Sequence, residues 1–471
     1  MNVNIFKEYD LRGIVDRDFP TELVEKIGKA FAAYVHRETG KAKPRISIGR
    51  DVRLSSPGLR EALFKGLKSS GIDVTDLGIC PTPLVYFSLF NLPVDGGVMI
   101  TGSHNPKEYN GFKLCFKKTT LFGAQIQEIR KIVERQDFVS GSGESDTFDV
   151  NPAYQKWQIE RHSSILKSGA ELKVVVDAGN GTAGPVIVPI LRQLGCKVIE
   201  LFCEPDGEFP NHHPDPTIAA NLQMLVSRVK SEKADLGLAF DGDSDRLGIV
   251  DNNGTILWGD EIMIILARDI LTRHPGTKII GEVKCSTRMY HQIAKAGGKP
   301  IMWKTGHSLI KNKMKEEHAL LAGEMSGHLF FAEDYFGYDD AIHAALEIVA
   351  IASKEKATRQ RRFSDLLSDV PHVFVTPEIR IDCSDDKKFD VVQAVRKIME
   401  ARHQEGLEPH IRGLCTIDGI RVEFEKGWGL VRASNTQPIL VSRYEAQNQK
   451  LLAVYQKLFE EAIAAAAEKL Y

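Results

Sequence analysis

Short apolar runs alternate along this chain with polar, amphipathic stretches, and the alternation recurs. One copy runs Arg45-Ile46-Ser47-Ile48-Gly49-Arg50-Asp51, an amphipathic stretch over about residues 56 to 69, Gly71, then Ile72-Asp73-Val74. A second has Leu172 to Asp177, the tip Ala178-Gly179-Asn180-Gly181, an amphipathic stretch to Leu194, Gly195, then Lys197-Val198-Ile199. The third has Lys278 to Lys284, a stretch ending at Ala296, Gly297-Gly298, then Ile301-Met302-Trp303. Each predicts a βαβ unit. The glycine after each helix suits a left-handed C-cap, and the β-branched strands suit sheets covered on both faces.

Every copy is followed by the same second element, an apolar strand, a polar loop and a returning strand. The loops are Thr101-Gly102-Ser103-His104-Asn105-Pro106, Asp241-Gly242-Asp243-Ser244-Asp245-Arg246 and Gly323-Glu324-Met325-Ser326-Gly327-His328. The first reads locally as a turn whose small residues and Asn-Pro leave the Ser103 hydroxyl at its tip with few neighbours to bury it. If the repeats surround a common centre, the three tips converge there, because loops at strand ends are where α/β proteins place ligands. The last quarter differs. Val373-Phe374-Val375, a helix near residues 388 to 403, Gly419 to Phe424 and Gly429-Leu430-Val431 predict a smaller α+β domain with an antiparallel sheet. A Ser-Gly-rich segment, Val139 to Ser145, marks the first boundary, and the charged stretch Lys354 to Arg362 marks the last. The expected organisation is three tandem, similar α/β domains with mixed sheets, residues 1–148, 149–254 and 255–367, and an α+β domain over 368–471.

At 471 residues the chain is long enough for several such cores. A net charge of −2 gives no reason to expect a nucleic-acid partner, and the basic cluster Arg359-Gln360-Arg361-Arg362 is met at once by Asp365 and Asp369, as on a solvated helix face. No stretch approaches a membrane span, and Met1-Asn2-Val3-Asn4 lacks the build of a signal peptide. Seven scattered cysteines without a CxxC pair fit free thiols, mostly buried in strands, and a cytoplasmic location. A monomer and a small homo-oligomer both remain open.

The loops differ in chemistry. Asp241, Asp243 and Asp245 alternate, so their carboxylates can gather around a hard cation such as Mg²⁺, with Arg246 as internal counter-ion. An EF-hand is excluded, since Arg246 and Asn252 stand where it needs Gly and Glu. A haloacid-dehalogenase-like phosphatase would use Asp241 as nucleophile and Asp243 as acid, but Asp245 stands where that pattern has Thr or Val. Arg432, Ser434, Asn435 and Thr436 make an anion cradle suited to phosphate. Glu324 and Ser326 offer a carboxylate and a hydroxyl for adjacent sugar hydroxyls, and His328 and His307 can move protons near neutral pH. Lys113 alternates with apolar neighbours on the strand leaving the Ser103 loop, and Lys284 ends a strand of the third repeat. Near the start, Tyr9 and Arg12 can point at an anionic ligand.

These four loops, in this order and spread over nearly the whole length, resemble the motifs of the α-D-phosphohexomutase superfamily, most closely its bacterial bifunctional phosphomannomutase/phosphoglucomutase branch. The resemblance implies four domains around a central cleft and Ser103 carried as a phosphoserine. It implies one Mg²⁺ held by Asp241, Asp243, Asp245 and the Ser103 phosphate, and sugar contacts from Glu324, Ser326 and His328. The non-reacting phosphate would go to Arg432, Ser434, Asn435 and Thr436, with Tyr9, Arg12, Lys284 and His307 also contacting substrate. The implied catalytic set is Ser103, His104, Lys113, Arg246 and His328, in which Lys113 and His328 are unranked candidates for proton transfer. The implied reaction interconverts hexose 1-phosphate and 6-phosphate through a hexose 1,6-bisphosphate, with a hinge at the fourth domain. Met325, Gly327 and Asn435 favour mannose or glucose over glucosamine phosphates, and phosphoglucosamine mutase is the alternative within the family. An Asp241 phosphatase and a non-catalytic sugar-phosphate binder stand outside it.

Overall fold

The protein is described by a computed structural model covering residues 2–168 and 170–468. It divides into two compact units, one made of residues up to 270 with 326–367, the other of 271–325 with 368 onward. The stretch expected as the third domain thus contributes to both.

In the first unit, the sheet of the first repeat runs in the spatial order Leu11–Ile14, Tyr109–Phe116, Gly96–Ile100, Arg45–Arg50, Asp73–Ile79, Ser145–Thr147. Arg45–Arg50 pairs parallel with Asp73–Ile79 and with Gly96–Ile100, because a helix crosses over before each. Tyr109–Phe116 returns antiparallel to Gly96–Ile100, since only the loop 101–108 joins them. The second repeat repeats the plan. Lys173–Asp177 lies between parallel Lys197–Leu201 and Leu236–Phe240, and Leu247–Asp251 returns antiparallel after the loop 241–246. Both sheets are therefore mixed, and both turns leave the carboxyl end of a buried parallel strand. Apolar positions supply the cores: Ile46, Ile48, Val98, Ile100, Phe112 and Leu114 are buried in the first sheet, and Val175, Ala239 and Val250 in the second.

In the second unit, Lys278–Glu282 pairs parallel with Lys299–Trp303 and with Leu321–Gly323. The C-terminal domain is an antiparallel sheet, with Ile411–Cys415, Ile420–Phe424, Gly427–Ala433 and Ile439–Ala446 in sequential order, packed under helices Lys388–Glu405 and Gln449–Glu468. Gly71, Gly195 and Gly297, each following the helix of a repeat, take φ of 81°, 83° and 87°, the left-handed cap expected of them.

The Ser-Gly segment is strapped against the first sheet: Gly141 and Gly143 donate to Ser69 and Lys68 carbonyls, and Ser145–Thr147 joins that sheet as an edge strand. Small residues allow this close strapping; a Cβ at Gly143 would lie 1.9 Å from the Ile72 carbonyl oxygen. The cysteines are free and Cys415 alone is not buried, but only Cys115 and Cys415 lie in strands; the others sit in connections. No described helix is long and apolar enough to cross a membrane.

Candidate active site

In the first unit the serine loop and the aspartate loop close on each other. Ser103 Oγ lies 2.9 Å from Asp241 Oδ2 and 3.1 Å from His104 Nδ1. Ser103 is buried, not exposed at a tip, because the aspartate loop packs over it: a Cβ at Gly242 would come within 2.7 Å of the Ser103 carbonyl oxygen. Its backbone takes φ 49°, a conformation that costs energy for a residue with a side chain and needs support. Arg53 provides much of that support. Its guanidinium donates to the carbonyls of Ser103, Asn105, Pro106 and Tyr109 at 2.6–3.1 Å and is paired with Asp51 at 3.1 Å. Asp51 also accepts from the Gly102 N–H, and a Cβ at Gly102 would lie 2.4 Å from Arg53 Nε, so a side chain has no room there. Arg12 grips the loop from another side, donating to Asn105 Oδ1 at 3.0 Å and to the Gly102 carbonyl at 3.3 Å while paired with Asp10. Tyr9 is buried in the bend before that strand.

The three aspartates are fully buried, and each offers an oxygen within 4.8 Å of the others'. Asp241 Oδ1 accepts from the N–H groups of Asp245 and Arg246, which fixes the loop; Thr182 braces it from behind, donating to the Gly242 carbonyl and lying 2.9 Å from Ser244 Oγ. Lys113 pairs directly with Asp243 at 2.7 Å and with Asp245. Thr82 donates to Asp243 Oδ2, yet Asp243 Oδ1 is buried with no hydrogen-bond partner. Burial opposes the charge of Lys113, but Asp243 and Asp245 outweigh it and hold the ammonium protonated, its pKa raised. Burial likewise opposes the charge of Asp245, which Lys113 and then His328 overcome, keeping its pKa well below the usual carboxylate range. Asp241 goes the other way: burial, then repulsion from Asp245 and Asp243, pushes it well above that range. A buried carboxylate group that one lysine only partly neutralises, with an oxygen left unpaired, has the donor chemistry of a hard-cation site.

His328 stands beside this group, with Nε2 3.2 Å from Asp245 Oδ1 and 3.3 Å from Arg246 Nε, and Nδ1 3.3 Å from Ser326 Oγ. Desolvation, then the charges of Arg246 and Arg12, pushes the His104 pKa well below that of free imidazole, so its ring is neutral.

The second unit assembles another set. Gly306 N–H donates to Glu324 Oε1 at 2.6 Å, tying the carboxylate of the third loop to the start of helix His307–Glu317, of which His307 is the first residue. Lys284 pairs with Glu378 at 3.0 Å. Arg432 pairs with Asp418 at 2.9 Å, and the same Asp418 oxygen accepts from Thr305 N–H at 3.0 Å. Ser434 Oγ accepts from the N–H groups of Thr436 and Gln437, which shapes the turn around half-buried Asn435. Arg421, wholly buried, donates to the carbonyls of Val283 and Cys285 and joins the repeat to the C-terminal sheet. Burial disfavours the charge on Glu378, but Lys284 holds its pKa down to about 2.

Four family models match in chain order: phosphoglucomutase/phosphomannomutase alpha/beta/alpha domain I over residues 3–140, domain II over 153–254, domain III over 258–374, and the C-terminal domain over 378–462. The chain belongs to the phosphoglucomutase/phosphomannomutase family. It is 45% identical over 467 residues to a phosphomannomutase/phosphoglucomutase of Pseudomonas aeruginosa, covering 99% of this chain and 97% of that one. A phosphoglucomutase of Neisseria gonorrhoeae is 43% identical over 462 residues, covering 98% and 96%. Among solved structures, a phosphoglucomutase/phosphomannomutase family protein from Burkholderia thailandensis superposes with a TM-score of 0.88 at 39% identity, covering 98% of each chain.

Within this family member, the structure brings Ser103, His104, Lys113, Arg246, His328, Arg12 and the three aspartates together in the first unit. Lys284, His307, Glu324, Arg432, Ser434, Asn435 and Thr436 belong to the second. The third loop is divided, with Glu324 in one unit and Ser326 and His328 in the other. Sequence reasoning missed Asp51, Arg53, Glu378 and Asp418, the partners that hold the functional groups. For the first two a signal existed: Asp51 and Arg53 stand two apart just beyond the strand that starts the first repeat.

Proposed function

We propose that the chain is a phosphohexomutase that interconverts the 1- and 6-phosphates of mannose or glucose, with Ser103 as the phosphoryl carrier. The observation that carries this reading is the Ser103 hydroxyl, held in a strained turn against Asp241 of a buried three-carboxylate group. In the proposed cycle the phosphoryl group on Ser103 Oγ passes to the free hydroxyl of a hexose phosphate. The P–O bond to serine breaks, a P–O bond to the sugar forms, and the hydroxyl proton leaves. The hexose 1,6-bisphosphate then returns its other phosphoryl group to Ser103, and the serine is ready for another turn. A divalent cation, Mg²⁺ in this proposal, held by Asp241, Asp243, Asp245 and the serine phosphate, would supply positive charge against the transferring oxygens. Lys113 and His328, both of which contact Asp245, are the candidates for proton transfer at the sugar hydroxyl: His328 to accept the leaving proton, and Lys113, held as an ammonium, to donate one in the reverse step. His104 and Arg246 flank them, Arg12 steadies the serine loop, and Tyr9 and Arg12 are assigned to the substrate. Glu324, Ser326 and His307 are assigned to the sugar, and Lys284, Arg432, Ser434, Asn435 and Thr436 to the phosphate that is not reacting.

The engagement of both Asp241 oxygens, by Ser103 Oγ and by two backbone N–H groups, argues against that aspartate as a free nucleophile. The test is intact mass and turnover. The active protein should carry one added phosphoryl group on Ser103, and Ser103→Ala should lose most conversion of mannose and glucose 1-phosphates without releasing inorganic phosphate. A fully active Ser103→Ala protein refutes the reading, and faster turnover of glucosamine 1-phosphate moves the substrate.

A further inference from the structure

Away from the serine, the first unit buries two histidines and a glutamate whose lone pairs point at one another. His162 follows helix Asn151–Arg161, and His343 and Glu347 lie one turn apart on helix Ala341–Arg359. His162 and His343 are 3% and 0% exposed, and the Glu347 side chain is 16% exposed. The tautomers are fixed by what each Nδ1 meets. His162 Nδ1 lies 2.9 Å from the carbonyl oxygen of Gln158, an acceptor only, so this nitrogen carries the proton. His343 Nδ1 donates in the same way to Gln158 Oε1 at 3.1 Å. A ring that carries its single proton on Nδ1 presents a lone pair at Nε2, and both Nε2 atoms face Glu347 Oε1, at 3.2 Å from His162 and 3.6 Å from His343. His343 Nε2 has no hydrogen-bond partner. Lone pairs converging on a carboxylate oxygen repel unless something positive lies between them.

We propose that His162 Nε2, His343 Nε2 and Glu347 form a binding site for a zinc-like divalent transition-metal ion, separate from the aspartate group. Metal-bound histidines almost always donate their other ring N–H to a carbonyl or carboxylate, as both do here through Gln158. Metal–ligand bonds of about 2.0–2.1 Å in a tetrahedron give edges of about 3.3–3.4 Å, and the two observed separations bracket that length. The three ligand atoms lie within 4.8 Å of one another. Lone pairs of imidazole suit zinc, whereas the all-oxygen aspartate group suits magnesium, so the two sites sort different ions. Arg161 reaches the same Oε1 at 3.4 Å and the carbonyls of Glu333 and Asp334, and Tyr335 stacks on His343 at 3.9 Å, so the surroundings are rigid. An ion here would pin the start of the second repeat to the long helix of residues 341–359.

The test titrates metal-free full-length protein with Co²⁺ or Zn²⁺ in saturating Mg²⁺, which occupies the aspartates. Wild type should bind one Co²⁺ per chain with the intense visible absorption of a four-coordinate nitrogen-ligated ion, displaced by Zn²⁺, and Zn²⁺ should raise its melting temperature. Glu347→Gln and His162→Gln should each weaken binding at least about 10-fold. The spectrum is read on wild type, so the test survives a variant that fails to fold. Only weak, six-coordinate absorption, or equal affinity in wild type and both variants, overturns the proposal and leaves a proton shared by His162 and Glu347 as the account of the cluster.

Discussion

Replacing Arg53 tests whether the serine loop is held from beneath. Arg53→Met keeps the length of the side chain but removes every donor. It leaves Asp51 buried without its cation and four backbone carbonyls, three of them in the loop, without their donor. Breaking a buried ion pair by removing one partner costs about 3–5 kcal/mol, and the Ser103 and Asn105 carbonyls, bonded to a wholly buried guanidinium, keep the expected loss toward the upper end of that range. Set against a total stability of about 5–15 kcal/mol, that is a large fraction. Arg53→Lys retains the charge but has three donors in place of five, so it should lose roughly half as much. Urea denaturation followed by circular dichroism reads the change; with a slope of about 3 kcal/mol per molar, the Met variant's midpoint should fall by about 1.3–1.7 M. Arg53 bonds to the serine loop's backbone, so the catalytic effect should fall on kcat more than on KM. A nucleophile displaced by about 1 Å loses on the order of 100-fold. An Arg53→Met protein within about 1 kcal/mol of wild type, with its Ser103 phosphorylation and kcat intact, would show that the loop holds its shape unaided.

Two further changes probe charge. Asp241→Asn should stabilise the metal-free protein at pH 7.5 while abolishing turnover. Asp241's folded pKa is raised, so its charge penalises folding at neutral pH, and the penalty fades as pH falls to its unfolded value near about 3.9. Melting curves without divalent ions should show a gain at pH 7.5 that shrinks toward pH 4; a destabilised variant at pH 7.5 contradicts the charge argument. Glu378→Gln leaves Lys284 buried without its partner and should cost about 1–3 kcal/mol, less than a fully buried pair because Glu378 is 22% exposed. Glu378's depressed pKa contributes stability that is present above about pH 4.3 and lost as pH falls toward 2. Wild type and variant should therefore converge in acid, and a gap unchanged at low pH rules out the ion pair as its cause.

What could be read in the chain, and what could not, divides by distance along it. The repeats were legible because a strand, an amphipathic helix, a capping glycine and a returning strand each leave a local period, and Gly71, Gly195 and Gly297 take the left-handed cap their positions predict. The chemistry of the tips was legible because three alternating aspartates, or a serine among small residues, are informative where they stand. Their burial was not. Ser103 reads as an exposed tip because the lid over it, Gly242, lies far along the chain and is recognisable only once a Cβ there is seen to strike the Ser103 carbonyl. Lys113 illustrates the same limit. Its alternation places it on the right face of a strand, but nothing local says that it meets Asp243 and Asp245, 130 and 132 residues on. The supporting layer is the least visible, because Asp418 and Glu378 are single charged residues with no periodic company, and even the Asp51 and Arg53 pair takes its significance from partners on other elements. The same reasoning explains the histidine cluster: His343 and Glu347 are one helical turn apart and could be paired from sequence, whereas His162 is 185 residues from Glu347 and enters only through the packing of two helices. A reading of local pattern therefore finds the groups that act before it finds the groups that hold them, and substitutions at the second kind, Arg53 first, separate a fold that merely contains the motif from one that keeps its serine in place.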